Sequence, residues 1–321
     1  MSVFEPFEAF GDIEQIANGL TSPDVSVRRL AVIAIAETAR SEAVGHLASA
    51  VSDPAAEVRL QAAKALGDFD GIESARALVR GLLDEDRDVA EAAGESLSSI
   101  RDTAVVEALL PLVSHPSSLV RAAVLRSLKS LRVDAALGPA VTALGDSAPE
   151  VRVQAVGVIG YLKSIEALPS LIGAARDRNA EVRLAAVNAL SFADDASAAQ
   201  AAADALADPE WQVRAAAAET LGRIKQAEAA PPLAAALDDG FWQVRQKALQ
   251  SLGKLKARAM VSRIVGVLDD ELPSLRKEAA AALGEIADPG ARAALAAKVS
   301  DSDPDVRKTV AWALGRLKDD V

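Results

Sequence analysis

The chain has 321 residues, of which 50% are hydrophobic and only 3% aromatic, so alanine, leucine and valine must form its core. The absence of cysteine excludes disulfides, thiolate metal sites and a cysteine nucleophile. A net charge of −11 opposes binding to phosphate backbones, and only residues 241–321, with 14 Lys and Arg against 11 Asp and Glu, depart from this acidity. Nucleic acid is therefore not an expected partner.

The N-terminal stretch MSVFEPFEAFGDIEQ is acidic where a signal peptide would be basic. The sequence also lacks an unbroken apolar run of roughly 18 residues, the length that a membrane helix needs. We therefore expect a cytoplasmic protein that does not span a membrane. Phe4, Phe7 and Phe10 lie within residues 1–11, and we expect this segment to form an N-terminal cap.

From Val27 onward the chain repeats every 31 residues without an insertion. The clearest marker is a Val-Arg pair, which becomes Val89-Ala90 in one repeat and Leu275-Arg276 in another. A fixed period of this length is the signature of stacked structural repeats. The arginine slot of the ten repeats holds Arg28, Arg59, Ala90, Arg121, Arg152, Arg183, Arg214, Arg245, Arg276 and Arg307.

Each repeat predicts two helices, a shorter A helix and a B helix that contains the arginine slot. Counted from that slot, positions −1, +3, +7 and +10 share one side of a helix and are apolar in every repeat, with Thr38 as the single exception. Pairs such as Asp53-Pro54 precede the B helix, as expected of an N-cap followed by proline. Glycine at +8, as in Gly222, suits either close helix contact or the approach to a helix end.

Two helices in 31 residues cannot bury their apolar faces alone, so the repeats must stack. The predicted fold is all-α: a solenoid, or superhelix, of about ten antiparallel helix pairs. It opens with an A helix near Asp12 and closes with a B helix near Lys318. We expect residues 1–321 to form one continuous domain.

The recurring arginine has a recurring partner, because eight repeats carry Asp six residues before the slot. Ser22 and His115 take this position in the other two repeats. We predict that arginine and aspartate form a ladder of charge-assisted hydrogen bonds between adjacent loops. This role is architectural and does not suggest catalysis.

The segments DPEWQVRAAAAETLGRIKQAEAAPPLAAAL and SDPDVRKTVAWALGRL resemble the short HEAT-like repeats of the phycobilisome-lyase-like family. The resemblance extends over essentially the whole chain. It implies a HEAT-repeat solenoid whose B helices line the concave side and whose variable positions bind partners. Similar repeats serve as scaffolds, chromophore lyases, hydroxylases and DNA-repair glycosylases, so the resemblance is specific for fold and unspecific for function.

Positions −3, +1, +5 and +9 of the B helix point away from its apolar stripe, and all three tryptophans and the sole tyrosine occupy such positions. Aromatic side chains interleaved with Lys, Arg and Gln favour a protein partner, either a peptide or a helix of acidic or amphipathic character. The alternative is that a tryptophan at −3 only covers the loop of the next repeat. The predicted partner-binding residues, in a groove over repeats 5 to 10, are Tyr161, Phe192, Trp211, Glu219, Arg223, Trp242, Gln246, Gln250, Lys254, Lys308, Trp312 and Arg316.

Catalytic patterns are missing from the sequence. His46 and His115 are the only histidines, neither forms a His-Glu pair, and there is no glycine-rich phosphate loop or G-x-S-x-G motif. We therefore predict a non-catalytic scaffold, adaptor or assembly factor without a metal or other cofactor. Two alternatives from the resemblance stay open: a bilin lyase or lyase-like chaperone, and a DNA-repair glycosylase, which the acidic charge disfavours.

Overall fold

The structure is a computed structural model that describes residues 13–317, so the predicted cap over residues 1–11 lies outside the described residues. Residues 13–317 form twenty α-helices with short 3-10 segments and contain no β-strand. A helices of 4 to 11 residues alternate with B helices of 10 to 14 residues, which confirms the all-α solenoid of ten helix pairs. The A helices are α1 (Ile13–Ala17), α3 (Ala43–Ala50), α5 (Ile72–Leu82), α7 (Val106–Leu109), α9 (Leu137–Ala143), α11 (Leu168–Ala174), α13 (Ala196–Asp204), α15 (Ala230–Ala235), α17 (Val261–Gly266) and α19 (Arg292–Ala296).

The B helices begin 31 residues apart along the whole described chain. This constant interval confirms that the sequence period is a structural period. The B helices are α2 (Val25–Glu37), α4 (Ala56–Leu66), α6 (Arg87–Leu97), α8 (Ser118–Leu131), α10 (Pro149–Leu162), α12 (Ala180–Ala189), α14 (Trp211–Ile224), α16 (Trp242–Lys254), α18 (Pro273–Ile286) and α20 (Pro304–Arg316).

The core consists of the small aliphatic side chains that the B-helix stripe predicts. At position +7, for example, Ile35, Leu128 and Leu252 are fully buried. Val27 is exposed and Leu314 is half-buried, and both lie in repeats with only one neighbouring repeat among the described residues. Elsewhere the stripe packs against the A helix of its own repeat and against the adjacent B helix.

Glycine at +8 allows consecutive B helices to approach closely, which decides between its two predicted roles. A Cβ atom on Gly222 would lie 3.0 Å from Cα of Ser251, and one on Gly284 would lie 2.9 Å from Cα of Ala313. The left-handed residue that ends a B helix instead stands at +11 in six repeats and is not glycine in any of them. These residues are Ala39, Arg132, Lys163, Lys225, Lys256 and Ala287.

The chain divides into two compact units, Met1–Leu162 and Lys163–Val321. In unit 1 the B helices α2, α4, α6, α8 and α10 pack in sequence, and in unit 2 the helices α12, α14, α16, α18 and α20 do the same. The single continuous domain remains a prediction.

Candidate protein-binding surface

The loops that precede the B helices are joined by the predicted arginine ladder. Arg121 donates from Nε and Nη2 to both carboxylate oxygens of Asp146, at 2.6 and 2.7 Å. Its Nη1 donates to the backbone carbonyls of His115 and Pro116, at 2.7 and 2.8 Å. One guanidinium therefore ties the loop before its own helix to the loop of the next repeat, and the ladder prediction is confirmed. The same bidentate pairing joins Arg28 to Asp53, Arg59 to Asp84, Arg183 to Asp208, Arg214 to Asp239 and Arg276 to Asp301.

The ladder aspartates are held in their charged form. Hydrogen bonding from Arg121 lowers the pKa of Asp146, and the backbone N–H of Ala148 acts in the same direction. Burial opposes this shift without cancelling it. Arg245 makes a looser pair, with Nη2 3.6 Å from Oδ2 of Asp270. Its buried Nε has no acceptor among residues 13–317.

The three tryptophans of unit 2 have different surroundings. Trp242 and Trp312 are exposed, at 42% and 47%. Trp211 is half-buried and stacks on Phe241, with ring centroids 5.7 Å apart and planes inclined by 13°. Since Phe241 lies in the loop before the next B helix, the alternative interpretation, in which a tryptophan at −3 covers a neighbouring loop, describes Trp211.

Phe241 is a surface aromatic that the helical pattern missed. Its side chain is 46% exposed, and the guanidinium of Arg214 lies 5.5 Å from its ring centroid. Leu272 occupies the equivalent position one repeat later and is exposed as well. Both residues immediately precede a B helix, so periodicity within the helix could not indicate them. Two apolar residues at this position in successive repeats were the available signal.

Several predicted polar residues already have partners within the protein. Glu219 accepts from Arg223 at 2.5 Å on its own helix and pairs with Lys247 of the next B helix at 2.8 Å. The Lys247 hydrogen bond is the main cause of the lowered pKa of Glu219. Gln246 donates to Glu278 at 3.3 Å, across to the following repeat. These groups hold neighbouring B helices together, which limits what they can offer to a ligand.

Other predicted residues remain open. Gln250 is half-buried, Lys254 and Lys308 are exposed, and none of these side chains makes a hydrogen bond or ion pair within residues 13–317. The guanidinium of Arg316 lies 5.9 Å from the ring centroid of Trp312. The ring of Trp312 packs directly against Gly284, so closely that a Cβ atom on Gly284 would overlap the ring. One side of the exposed Trp312 ring therefore packs against the preceding B helix.

We use the term B surface for the predicted partner-binding residues of unit 2, which lie on its B helices or directly after them. Phe192 is half-buried in the 3-10 segment Leu190–Phe192 that follows α12. Tyr161 is exposed but belongs to unit 1, where Arg132 lies 4.8 Å from its ring centroid. The B surface comprises Phe192, Trp211, Glu219, Arg223, Trp242, Gln246, Gln250, Lys254, Lys308, Trp312 and Arg316.

Within residues 13–317 there is no group of three or more His, Asp or Glu side chains arranged to hold a metal ion. No helix in the described part of the chain is long and apolar enough to span a membrane.

Stacked helix pairs joined by an arginine ladder define a helical repeat protein. The HEAT-repeat family matches the chain at residues 13–98, 81–146, 138–212, 201–271 and 261–321. The chain therefore belongs to the HEAT-repeat family. Its finer resemblance to the phycobilisome-lyase-like group remains a prediction. Comparison with proteins of curated function finds no matching sequence.

Solved structures show the same fold. An engineered protein is 21% identical, with a TM-score of 0.56, and the match covers 96% of this chain and 99% of that one. Importin beta is 15% identical with a TM-score of 0.64, and Kap95p is 15% identical with a TM-score of 0.61. Each match covers 95% of this chain, but only 51% of importin beta and 48% of Kap95p, so this chain spans about half the length of either protein.

Proposed function

We propose that this protein is a non-catalytic scaffold, adaptor or assembly factor of the cytoplasm that holds a partner peptide or helix on the B surface. The observation that carries the proposal is the pair of exposed tryptophans, Trp242 and Trp312, on B helices of the same unit. Tryptophan offers a large contact area for few rotatable bonds and is enriched among residues that dominate binding energies. Kap95p, whose fold is similar, binds the protein RanGDP.

The charges beside these tryptophans suit a partner of acidic or amphipathic character. Lys254 and Lys308 have no carboxylate partner among residues 13–317, so a partner carboxylate can approach them without breaking an internal pair. Glu219, the acidic member of the predicted set, is neutralised by Arg223 and Lys247. An apolar face flanked by carboxylates on one helix would complement this arrangement.

The test is an affinity pull-down from host lysate, followed by mass spectrometry, with wild type and the Trp242→Ala/Trp312→Ala variant. Exposure of both side chains predicts an unchanged circular dichroism spectrum and loss of the partner. Ile165→Ala is the matched control, because Ile165 is an exposed apolar residue of the same unit that lies beside an A helix. A partner retained by the double variant, or lost equally by the control, would contradict the proposal.

Charge reversal tests the chemistry of the partner. With the recovered partner in hand, Lys254→Glu/Lys308→Glu should weaken binding severalfold and reduce its dependence on salt. Stronger binding by this variant would show that the partner is basic. The phycobilisome-lyase-like prediction has a separate test: a visible absorption change when the protein is mixed with a bilin.

A further inference from the structure

One rung of the arginine ladder is absent from unit 1. Ala90 fills the arginine slot of the third repeat, and His115, 25 residues later, stands where the partner aspartate would be. Every other slot that has a residue 25 positions on keeps both arginine and aspartate in the sequence. Both members of a single rung have therefore been replaced.

The loss leaves backbone acceptors without their usual donor. In the repeat before, Arg59 Nη1 donates to the carbonyls of Asp53 and Pro54, at 2.9 and 3.3 Å. The equivalent carbonyls of the third repeat belong to Asp84 and Glu85, and the methyl group of Ala90 cannot donate to them. The two carbonyls that accept from a guanidinium elsewhere in the ladder therefore have no arginine of their own repeat to accept from.

A cavity of about 710 Å³ opens at this point. It is lined by Asp84, Glu85, Ala90 and His115, together with parts of α6 and α8. Its size falls in the range of roughly 300–1,000 Å³ that is usual for ligand pockets. We call this cavity the ladder gap.

Two of the charged groups around the ladder gap are already neutralised. The carboxylate of Asp84 receives the bidentate hydrogen bonds of Arg59, at 2.6 and 2.8 Å. Glu91 pairs with Arg87 of its own helix at 2.6 Å. The charge of each of these two carboxylates is therefore already balanced by an arginine of the protein.

The remaining charges favour a cation. Glu85, Glu95 and Glu150 line the ladder gap, and none of them makes an ion pair or side-chain hydrogen bond within the described residues. Arg126 is the cation that accompanies them. Three carboxylates against one guanidinium leave an excess of negative charge on a concave surface, which concentrates cations.

His115 preserves the loop but not the charge of the missing aspartate. Its Nδ1 accepts the backbone N–H of Ser117 at 3.2 Å, just as Asp146 accepts that of Ala148 at 2.9 Å. A neutral imidazole with Nδ1 as acceptor carries its proton on Nε2, so the ring cannot offer the second acceptor that a carboxylate has. The acceptors for a cation are the carbonyls of Asp84 and Glu85, and the three glutamates add negative charge to the lining.

We propose that the ladder gap binds the guanidinium of an arginine side chain from a peptide partner. Arginine fits better than lysine because its planar guanidinium can donate to two loop carbonyls at once, as that of Arg59 does in the preceding rung. The site lies in unit 1 and is separate from the proposed B surface of unit 2, so either can fail without the other.

The two histidines provide a direct readout. The imidazole signals of His115 and His46 can be followed by NMR while acetyl-Gly-Arg-Gly-amide is added to the full chain. We expect His115 to shift in a saturable manner, His46 to stay unchanged, and the peptide with neutral citrulline in place of arginine to have no effect. No saturable shift at His115, an equal response to citrulline, or a stronger response to acetyl-Gly-Glu-Gly-amide would overturn the proposal.

Two variants test the position and the charge of the site. Ala90→Arg restores the guanidinium of the ladder and should abolish the peptide-induced shift while the fold stays intact by circular dichroism. Glu95→Gln/Glu150→Gln should weaken peptide binding severalfold. Glu107→Gln, an exposed residue of α7 that does not line the cavity, is the control and should leave binding unchanged. Unweakened binding by the double variant or by Ala90→Arg would contradict the assignment.

Discussion

Trp211 and Trp242 occupy the same position in successive repeats, yet only Trp211 stacks on the aromatic ring of a neighbouring loop. Trp211→Ala should lower the free energy of unfolding of unit 2 by about 1–2 kcal/mol, because an aromatic pair contributes about 0.5–1.5 kcal/mol beyond its buried area. Trp242→Ala, which removes a more exposed ring without an aromatic stack, should lower it by less than Trp211→Ala does. Urea denaturation followed by circular dichroism compares them, and equal effects would show that the stack does not stabilise the fold.

The ladder makes a second prediction for a single residue. Asp146→Ala leaves the half-buried guanidinium of Arg121 without its carboxylate and should cost about 2–3 kcal/mol, as expected for hydrogen bonds to a charged group. Glu91→Gln breaks the exposed pair with Arg87 within one helix and should have no measurable effect. The measurement is the denaturation midpoint of each variant. A similar fall in the midpoints of Asp146→Ala and Glu91→Gln would mean that the ladder pair stabilises the fold no more than a surface ion pair does.

Individual residues also mark the limit of what the sequence predicts. The outward direction of Trp242 and Trp312 follows from helical periodicity alone, and the structure exposes both. The pairing of Glu219 with Lys247 does not follow, because it depends on the distance between helices of different repeats. Phe241 was missed for a related reason: it lies outside the helix whose period was used.

At the scale of helices, the B helices were more predictable than the A helices. The apolar stripe and the 31-residue period place each B helix. The predicted N-cap followed by proline is correct for α20, where Pro304 follows Asp303, but wrong for α4, whose N-cap is Ala55 and not Asp53. In the A-helix segment IEALPSLIGAA, residues 165–175, the chain instead begins as the 3-10 segment Ile165–Ala167 and becomes α-helical only over Leu168–Ala174. Pro169, which has no backbone N–H, fits at the start of the α-helical part and not within an uninterrupted helix.

The close packing of neighbouring B helices predicts a strong effect of a single methyl group. Gly284→Ala would place a Cβ atom 2.9 Å from Cα of Ala313 and against the ring of Trp312, so α18 and α20 must move apart. We expect a loss of about 1–3 kcal/mol in the free energy of unfolding, typical of overpacking, and a red shift of the tryptophan emission as the ring of Trp312 is displaced. Gly266→Ala is the control, since nothing lies within 4 Å of its added Cβ. Fluorescence and denaturation midpoints that match the control would contradict the close approach.

For the molecule as a whole, the family and the repeat number were accessible from the sequence because a helical repeat depends on local periodicity. The division into two units after Leu162 was not accessible from the sequence, since the 31-residue period continues across it without a change. The ladder gap could be predicted from the sequence only in part. Ala90 and His115 are visible as exceptions in the sequence, but only the structure shows that they belong to the same rung and that a cavity opens between α6 and α8.

The repeated aspartates predict how the whole protein responds to acid. The hydrogen bond from Arg276 lowers the pKa of Asp301 from 3.8 to about 2, and the pKa of Asp146 is lowered in the same way by Arg121. A carboxylate whose pKa is lower in the folded state stabilises the fold above its unfolded pKa, and this contribution disappears as the pH falls through the folded pKa. The urea midpoint of unit 2 should therefore fall steeply between about pH 4 and pH 2, and the midpoint of unit 1, whose ladder aspartates also have lowered pKa values, should fall in acid as well. Asp301→Asn should lower the midpoint of unit 2 at neutral pH and make its acid dependence shallower. An identical pH profile in this variant, or a midpoint that stays constant down to about pH 2, would show that the ladder does not couple protonation to stability.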